Sequence, residues 1–367
     1  MKLSCAQADF TSALALVNRA VSPNNTLPVL NNILLKAEGK KLFLSATNLE
    51  IAISASFDAE VENEGTLTVP AKVLSSYIAL INDKEVNLSV VGGNTLLVQT
   101  KGSRTNVKGI ASEEFPLLPK LDKPDVFHFP TKMILAALDQ VAFAASTNIS
   151  RPVLTGLFWQ LVGQTMKLAA TDSYRLSEKT MTLTKDQNLD ISFIVPSKTA
   201  QELAKILSMT TAEEFEVRVG KGQVLFVVDG IELMSRLIEG NFPDYEKILP
   251  KETKTKVSLF TEEFVLGLKK VSVIVRENNN NVRIKVQNDS LQISSDETQV
   301  GQGVTDVPAS VTGDGMETAL NVQYLLDVLS HLNDKEVHLS LNDGLSPVMV
   351  TPASSADYLH IIMPLKV

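Results

Sequence analysis

The pentapeptide Asn-Asp-Lys-Glu-Val occurs twice in the chain, at residues 82–86 and again 251 positions later at residues 333–337. Each occurrence runs into an alternating pattern that predicts a β-strand. Because 251 is about twice 125, a third copy is expected midway. The segment Thr210–Gly220 fits that place, with Glu216 aligned with Glu85 and Glu336. The chain therefore reads as a threefold repeat.

Two predicted helices accompany each copy. Apolar residues recur at helical spacing in two sets of three segments, at 10–22, 131–146 and 261–275, and at 69–81, 195–207 and 320–332. A threonine or another polar residue opens each helix of the first set and is predicted to be its N-cap. The segments between the helices alternate as strands do and contain turn residues. Each copy thus predicts a strand, a helix, two to four strands, a second helix and three or four strands.

These copies predict an α+β fold with antiparallel sheets. Segments rich in proline and lysine at 118–125 and 249–256 separate the copies and lack periodicity. Domains are therefore predicted at residues 1–122, 123–251 and 252–367. At about 120 residues, each is large enough to bury its own core.

Composition narrows the functional classes. The chain lacks an apolar run of the ~18–20 residues that a membrane span needs, and its N-terminus lacks the apolar region of a signal peptide. A single cysteine, Cys5, excludes an internal disulfide and favours the cytoplasm. The formal net charge of −8 argues against a protein that holds nucleic acid by affinity for phosphates.

No motif for catalysis or for a cofactor is found. The four histidines, at 128, 331, 338 and 360, do not stand at metal-ligand spacing with one another or with Cys5. Asp172 and Asp244 lie in polar segments and are interpreted as turn formers. We therefore expect a non-enzymatic protein without a metal or cofactor. An enzyme of unknown type and a monomeric three-repeat scaffold that does not encircle DNA are the alternatives.

Four local motifs carry a resemblance. They are the segments Asn24–Leu35, Ala170–Met181, Gly240–Pro250 and Ile361–Val367. In this order and at these spacings they resemble the bacterial DNA polymerase III β subunit family, the sliding clamps, and the resemblance runs from end to end. It implies a cytoplasmic, nucleoid-associated processivity factor that encircles duplex DNA as a head-to-tail homodimer and tethers the replicative polymerase, the clamp loader and repair proteins.

A ring also resolves the problem of charge, because a closed ring holds DNA by topology. If the helices line the ring and each is ~10 Å wide, the twelve helices of two chains leave a bore of ~28 Å, whereas the six helices of one chain leave only ~9 Å. Two chains would therefore suffice and one would not. The predicted DNA-facing residues are Asn24, Lys72, Asn148 and Lys198. Arg19, Lys132 and Lys269 on the first helices are weaker candidates.

The resemblance also implies a pocket between the second and third domains for a short partner peptide. Its predicted residues are Leu154, Thr171, Ser173, Tyr174, Arg175, Leu176, Pro243, Lys247, Ile248, Leu345, Pro347, Ile362, Met363, Pro364, Leu365 and Lys366. Aliphatic residues would form an adaptable apolar cleft, and polar residues at its edge would orient the peptide. Leu176 and Ile362 are equally well interpreted as core residues.

Five pocket positions depart from the common family pattern. Ser173-Tyr174 stands in place of Gly-His, Lys247 and Lys366 stand in place of arginine, and Pro347 replaces serine or a similar residue. These changes leave the apolar positions intact and alter the rim.

For the dimer, the resemblance implies that an edge strand near 103–109 pairs with one near 296–303 of a second copy. Val107 would then face Val273 and Ile274. Pairing these edges would also protect them from aggregation.

Overall fold

The structure is a computed structural model that describes residues 1–21, 27–117, 121–184, 190–250, 252–276, 279–297, 299 and 301–365. The chain forms two compact units. The N-terminal unit comprises Met1–Lys132 and Gln201–Leu237, and the C-terminal unit comprises Met133–Ala200 and Ile238–Val367. The central copy of the repeat thus contributes strands to both units.

The first copy shows the element order that the sequence predicts. Its helices are α1 (Gln7–Val17) and α2 (Ala71–Ile78). Its strands are β1 (Lys2–Ala6), β2 (Asn32–Glu38), β3 (Lys41–Thr47), β4 (Ile51–Asp58), β5 (Glu60–Asn63), β6 (Gly65–Pro70), β7 (Glu85–Val91), β8 (Thr95–Gln99) and β9 (Arg104–Lys108).

The central copy repeats this order. Its helices are α3 (Thr131–Ala142) and α4 (Ser197–Met209). Its strands are β10 (Asp125–Pro130), β11 (Gly156–Val162), β12 (Thr165–Thr171), β13 (Arg175–Thr182), β14 (Asp190–Pro196), β15 (Glu214–Gly220), β16 (Gln223–Val228) and β17 (Ile231–Arg236).

The third copy does so again, with helices α5 (Thr261–Val275) and α6 (Val322–Ser330). Its strands are β18 (Thr255–Phe260), β19 (Asn281–Val286), β20 (Ser290–Ser294), β21 (Val304–Pro308), β22 (Ser310–Thr312), β23 (Glu317–Asn321), β24 (Glu336–Leu341), β25 (Val348–Pro352) and β26 (Tyr358–Ile362). The first and third copies have five strands between their helices, where at most four were predicted. The extra strands, β5 and β22, pair with β1 and β18 of the other sheet in their copies.

The N-terminal unit contains two antiparallel sheets. One has the strand order β5-β1-β7-β8-β9, and the other has the order β10-β15-β16-β17-β4-β3-β2-β6. In the larger sheet, β17 of the central copy pairs with β4 of the first copy, with Leu233 opposite Ile53. A sheet therefore continues across the border between the two copies.

The C-terminal unit also contains a sheet that continues across the border between two copies. Its larger sheet has the order β14-β11-β12-β13-β26-β25-β24-β18-β22, and its smaller sheet has the order β21-β20-β19-β23. Here β26 of the third copy pairs with β13 of the central copy, with His360 opposite Ser177. At both borders, the last strand of one copy thus pairs with a strand of the preceding copy.

The helices bury one face each, as their apolar spacing predicts. In α5, Phe264, Leu268, Val271 and Val275 are at most 1% exposed. They pack with the buried face of α6 and with strands of the third copy in one apolar core. Burial of an amphipathic face, rather than helix propensity, supplies most of the stability of such helices.

The N-terminus of the first helix in each copy is satisfied by a backbone carbonyl rather than by a side chain. The N–H groups of Gln7, Thr131 and Thr261 donate to the carbonyls of Lys84, Glu213 and Lys335. The N-caps of α1 and α5 are Ala6 and Phe260, which make no side-chain cap bond. The prediction of threonine or polar N-caps is therefore wrong. The residue just before a neighbouring strand already supplies an acceptor for the first amide of each helix.

This contact also corrects the alignment of the three copies. The residues whose carbonyls accept these bonds each precede the first residue of a strand; they are Lys84, Glu213 and Lys335. Glu214 is therefore the counterpart of Glu85 and Glu336. The predicted counterpart, Glu216, lies two residues further along. A shift of two preserves the alternation of a strand, which is why the sequence pattern alone did not detect it.

Strand β9 lies at an edge of its sheet in the N-terminal unit, and strand β21 lies at an edge of its sheet in the C-terminal unit. Strand β9 overlaps the predicted edge at 103–109. Strand β21 begins at Val304, just after the predicted range 296–303, in which residues 298 and 300 lie outside the described residues.

Gly109 fixes the end of β9. A Cβ atom at this residue would stand 2.0 Å from the Thr68 carbonyl oxygen. The N–H of the next residue, Ile110, donates to that oxygen at 3.0 Å. Only glycine therefore allows the chain after β9 to approach β6 this closely.

We predict that Gly109→Ala destabilises the protein by about 1–3 kcal/mol or more, because the added methyl group collides with backbone. Gly102→Ala is the matched control, since a Cβ at Gly102 meets no atom within 4 Å. Urea unfolding of both variants measures the difference. Equal midpoints for the two variants would contradict the assigned role of Gly109.

Candidate functional site

The C-terminal unit contains a cleft of about 140 Å³. The loop between β12 and β13, the segment around the short helix Tyr245–Ile248 and the end of β26 form its walls. The lining residues are Leu154, Thr171, Ser173, Arg175, Leu176, Pro243, Asp244, Tyr245, Ile248, Ile361 and Met363.

The loop at residues 171–175 is built by its own polar side chains. The Thr171 hydroxyl donates to the Arg175 carbonyl at 2.6 Å and accepts from the Ser173 N–H at 3.1 Å. The Asp172 carboxylate accepts from the N–H groups of Tyr174 and Arg175 at 2.9 and 3.0 Å. This network holds Ser173 at a φ of 81°, a left-handed conformation that favours glycine. The loop is thus preorganised even though Ser173 is not a glycine.

Arg175 is held in place by the residues around it. Its guanidinium donates to Asp172 at 3.1 Å, to Asp327 at 2.5 Å and to the Phe143 carbonyl at 3.0 Å. It also lies over the ring of Tyr324 at 4.6 Å. These charge-assisted bonds and the ring contact fix the side chain as a wall of the cleft.

The floor of the cleft is apolar. Leu176, Tyr245 and Ile361 are at most 6% exposed and belong to one small cluster against which Met363 packs. The Tyr245 hydroxyl donates to the buried Glu178 carboxylate at 2.5 Å. Burial raises the pKa of Tyr245, so the phenol stays protonated and keeps this bond. An apolar floor with polar groups at its edge suits a hydrophobic side chain of a ligand.

Eight of the predicted pocket residues line this cleft. They are Leu154, Thr171, Ser173, Arg175, Leu176, Pro243, Ile248 and Met363. The sequence prediction missed Asp244, Tyr245 and Ile361. Tyr245 lies in the motif Gly240–Pro250, so an aromatic residue in that motif was the signal that could have identified it as a pocket residue.

Ile362 is a correction. It is fully buried in the core of the third copy, and its neighbour Ile361 lines the cleft. Successive residues of a strand point to opposite faces, so only one of the two can reach the cleft. Because the residues of β26 alternate between two faces, assigning Ile362 to the core would have placed Ile361 in the cleft.

Other predicted pocket residues do not line the cleft. Tyr174 and Leu345 are 62% and 72% exposed, and Lys247 forms an exposed ion pair with Asp244 at 2.8 Å. Pro347, Pro364 and Leu365 also lie apart from the lining, and the Leu365 N–H donates to the Ala319 carbonyl. Lys366 lies outside the described residues.

The predicted DNA-facing residues occupy exposed positions where they are described. Lys72 and Lys198 are the second residues of α2 and α4 and are exposed. The third copy has Gln323 at this position, so the cation is not repeated there. Asn148 is exposed, and its side chain accepts from the Ser150 N–H at 3.0 Å. Asn24 lies outside the described residues.

The weaker cationic candidates differ in their surroundings. Lys132 and Lys269 are exposed on α3 and α5. Arg19 forms an ion pair with Glu202 at 3.2 Å, so part of its charge is already compensated.

The predicted dimer residues also differ in exposure. Val273 is 64% exposed, Ile274 is half-buried, and Val107 is only 4% exposed within its own chain. Val107 therefore presents its backbone at the edge of β9, whereas its side chain is already covered. The expectation that this side chain faces a second copy is corrected on that ground.

Two serine–histidine pairs occur among the described residues, a part-buried one between Ser258 and His338 at 3.0 Å and a buried one between Ser177 and His360 at 2.7 Å. Ser177 and His360 are fully buried, and burial lowers the pKa of His360 to about 3. The pair has no access for a substrate and serves as a buried hydrogen bond. Burial likewise raises the pKa of Cys5 to about 12, which keeps the thiol protonated at neutral pH.

The described residues contain no group of three or more side chains that could hold a metal ion. Among the described helices, none is both long and apolar enough to cross a membrane.

Comparison with known proteins covers the whole chain. Family models of the DNA polymerase III beta subunit match residues 1–119 as the N-terminal domain, 128–244 as the central domain and 246–366 as the C-terminal domain. The beta sliding clamp of Synechocystis sp. is 31% identical over 100% of this chain and 99% of its own length. That of Staphylococcus epidermidis is 28% identical over 95% and 94%.

Solved structures agree. The sliding clamp of Bacillus subtilis matches with a TM-score of 0.96 and 25% identity over 100% of this chain and 99% of that chain. A sliding clamp of Pseudomonas aeruginosa bound to griselimycin matches with a TM-score of 0.96 and 26% identity over 100% of both chains. The chain therefore belongs to the DNA polymerase III beta subunit family, the non-catalytic sliding clamps of DNA replication.

Proposed function

We propose that two copies of this chain close head to tail into a ring around duplex DNA, and that the cleft of the C-terminal unit binds peptides of replication and repair proteins. The proposal of a ring rests on two edge strands, β9 and β21, whose counterparts elsewhere in the threefold repeat are paired. We further assign the domains to residues 1–122, 123–251 and 252–367, which the family-model ranges support, and the place of action to the cytoplasm at the nucleoid.

The repeat gives the edges β9 and β21 defined partners. Strand β17 of the central copy pairs with β4 of the first, and β26 of the third copy pairs with β13 of the central. By position in the repeat, β9 is the counterpart of β17 and β26, and β21 is the counterpart of β4 and β13. Since β9 and β21 are both edges of their sheets, the same pairing can be completed only by a second chain.

The register follows from the two pairings within the chain. Ser235 lies opposite Ile51, and Ile362 lies opposite Arg175. The same register in a dimer places Val107 opposite Gly301 of the second copy and Arg104 opposite Val304. The residues just before β21 would thus join the strand, as the sequence-based range anticipated.

A ring also accounts for the distribution of charge. The net charge of −8 opposes tight phosphate binding, whereas Lys72 and Lys198 stand exposed at equivalent helix positions. Scattered cations of this kind give weak contacts that are sensitive to salt and permit sliding. Topology rather than affinity would then hold the DNA.

The cleft supports peptide binding through its shape and chemistry. Its apolar floor can take a hydrophobic anchor, and the fixed guanidinium of Arg175 and the preorganised loop keep the walls in place. Preorganisation lowers the entropic cost of binding. We therefore assign the cleft to the tethering of the replicative polymerase, the clamp loader and repair proteins.

We predict that Val273→Asp weakens the dimer at least about 100-fold, because an unpaired carboxylate buried in an interface costs several kcal/mol. Sedimentation measures the ratio of dimer to monomer. Met209→Asp, at a residue that is 57% exposed at the end of α4, is the control and should remain dimeric. A wild-type chain that sediments as a monomer would favour the scaffold alternative.

Retention on DNA tests the ring directly. After loading by a clamp loader, the protein should remain on nicked circular plasmid and leave it on linearisation, because a free end lets the ring slide off. Gel filtration of the protein–DNA mixture before and after restriction digestion reports both states. Release from linear DNA as slow as from linear DNA with blocked ends would refute topological binding.

Deletion of residues 363–367 should abolish binding of polymerase peptides and leave the dimer intact, because Met363 lines the cleft and the dimer edges lie elsewhere. Met209→Asp, at the exposed end of α4 in the N-terminal unit, is the control and should retain binding. Fluorescence anisotropy measures the first property and sedimentation the second. Loss of the dimer in the longer deletion would contradict the assignment.

A further inference from the structure

The N-terminal unit contains a second cleft, of about 250 Å³, that the proposed function does not use. Its lining residues are Thr47, Leu49, Glu50, Ile51, Ala52, Pro116, Leu117, Gln223, Met234, Ser235 and Arg236. They come from the loop between β3 and β4, from the segment after Phe115 and from the end of β17.

The loop of this cleft has the same construction as the loop at 171–175. The Thr47 hydroxyl donates to the Ile51 carbonyl at 2.8 Å and accepts from the Leu49 N–H at 3.0 Å. Asn48 takes the place of Asp172 and accepts from the N–H of Ile51 at 2.9 Å. Leu49 has a φ of 75°, as Ser173 has one of 81°.

The opposite wall matches too. The Arg236 N–H donates to the Glu50 carbonyl at 3.1 Å, as the Met363 N–H donates to the Tyr174 carbonyl at 2.8 Å. Pro116 and Leu117 follow Phe115 as Pro243 and Asp244 follow Phe242. The second cleft is therefore the counterpart of the C-terminal cleft, one copy earlier in the repeat.

The two clefts differ in where their charge lies. The C-terminal cleft has Arg175 in the loop and Met363 on the strand, whereas the second cleft has Ile51 in the loop and Arg236 on the strand. Arg175 is tied to two carboxylates, but Arg236 is exposed and forms no ion pair with any described residue. Leu49 and Leu117 at the rim are 48% and 97% exposed.

We propose that this second cleft is a further peptide-binding site, for an extended segment of a partner protein that presents an aliphatic or aromatic anchor beside an acidic residue. The anchor would cover Leu49 and Leu117, and the carboxylate would pair with Arg236. Among the residues that line the cleft, Arg236 is the one cation and Glu50 is the one anion, so an acidic residue placed beside Arg236 meets opposite charge, whereas a lysine there meets like charge. The inference rests on the proposed function only in treating the C-terminal cleft as a peptide site.

Fluorescein-labelled hexapeptides provide the test, Gly-Asp-Leu-Leu-Phe-Gly and its control with Lys in place of Asp. Anisotropy is measured with the full chain at concentrations up to about 1 mM, where even weak sites bind. The Met363→Asp variant blocks the C-terminal cleft and isolates the second one. Arg236→Glu and Leu117→Asp are then added singly to that variant, both at exposed positions where the fold tolerates charge.

We expect the Met363→Asp chain to bind the acidic peptide better than the lysine peptide. Arg236→Glu should weaken binding of the acidic peptide about fivefold or more, because reversal turns an attraction into a repulsion. Leu117→Asp should weaken it as well. Arg236→Glu alone, with the C-terminal cleft intact, should leave binding there unchanged.

Three results would overturn the proposal. The Met363→Asp chain could bind neither peptide, or Arg236→Glu could leave its peptide preference unaltered. Alternatively, sedimentation could show that Leu117→Asp disrupts self-association, in which case a second copy of the chain covers the cleft. Failure of the proposed function has a different signature, since the Met363→Asp chain would then have the same affinity for each peptide as the wild type has.

Discussion

The antiparallel pairing of the last strand of one copy with a strand of the preceding copy is the interaction on which the rest of the structure depends. It joins β17 to β4 and β26 to β13, and in each case two sheets become one. A chain of three such copies necessarily ends with one strand unpaired at each end. In the proposed dimer, the unused backbone donors and acceptors of β9 and β21 would supply both the drive to associate and the direction of the association.

The same pairing creates the clefts. At each border, the strand that crosses over brings its final residues beside a loop of the preceding copy, where a backbone N–H of Met363 or Arg236 meets a loop carbonyl. The groove is thus a by-product of joining copies, and side-chain identity decides what it can bind. This explains why one geometry recurs with methionine at one border and arginine at the other.

Much of the fold was predictable from the sequence, because hydrophobic periodicity and the threefold repeat are properties of residue order. The paired helices and the order of helices and strands along each copy follow from them. Details that depend on register were not predictable. Glu214 rather than Glu216 begins β15, and a shift of two residues preserves the alternation of a strand, so the pattern could not detect it. Ile361 rather than Ile362 faces the cleft, because successive residues point to opposite faces and the face of β26 that meets the core depends on the strands around it.

The site was predictable to the extent that it lies in local motifs. Thr171, Arg175 and Met363 fall within segments that resemble a family, and the structure brings them together. The binding of Arg175 by Asp327 and Phe143 could not be predicted, since it joins residues far apart in sequence. The second cleft was missed for a related reason: Leu49 and Arg236 resemble Ser173 and Met363 only in backbone geometry.

One backbone contact shows how the sequences of such copies can diverge. It is made by the carbonyl groups of Lys84, Glu213 and Lys335. Each accepts the first amide of a helix through its backbone, so the side chain at that position carries no part of the contact. The pentapeptide shared by the first and third copies could therefore erode in the central copy without any loss of architecture. Residues at this point can be substituted during evolution, provided that the path of the main chain is preserved.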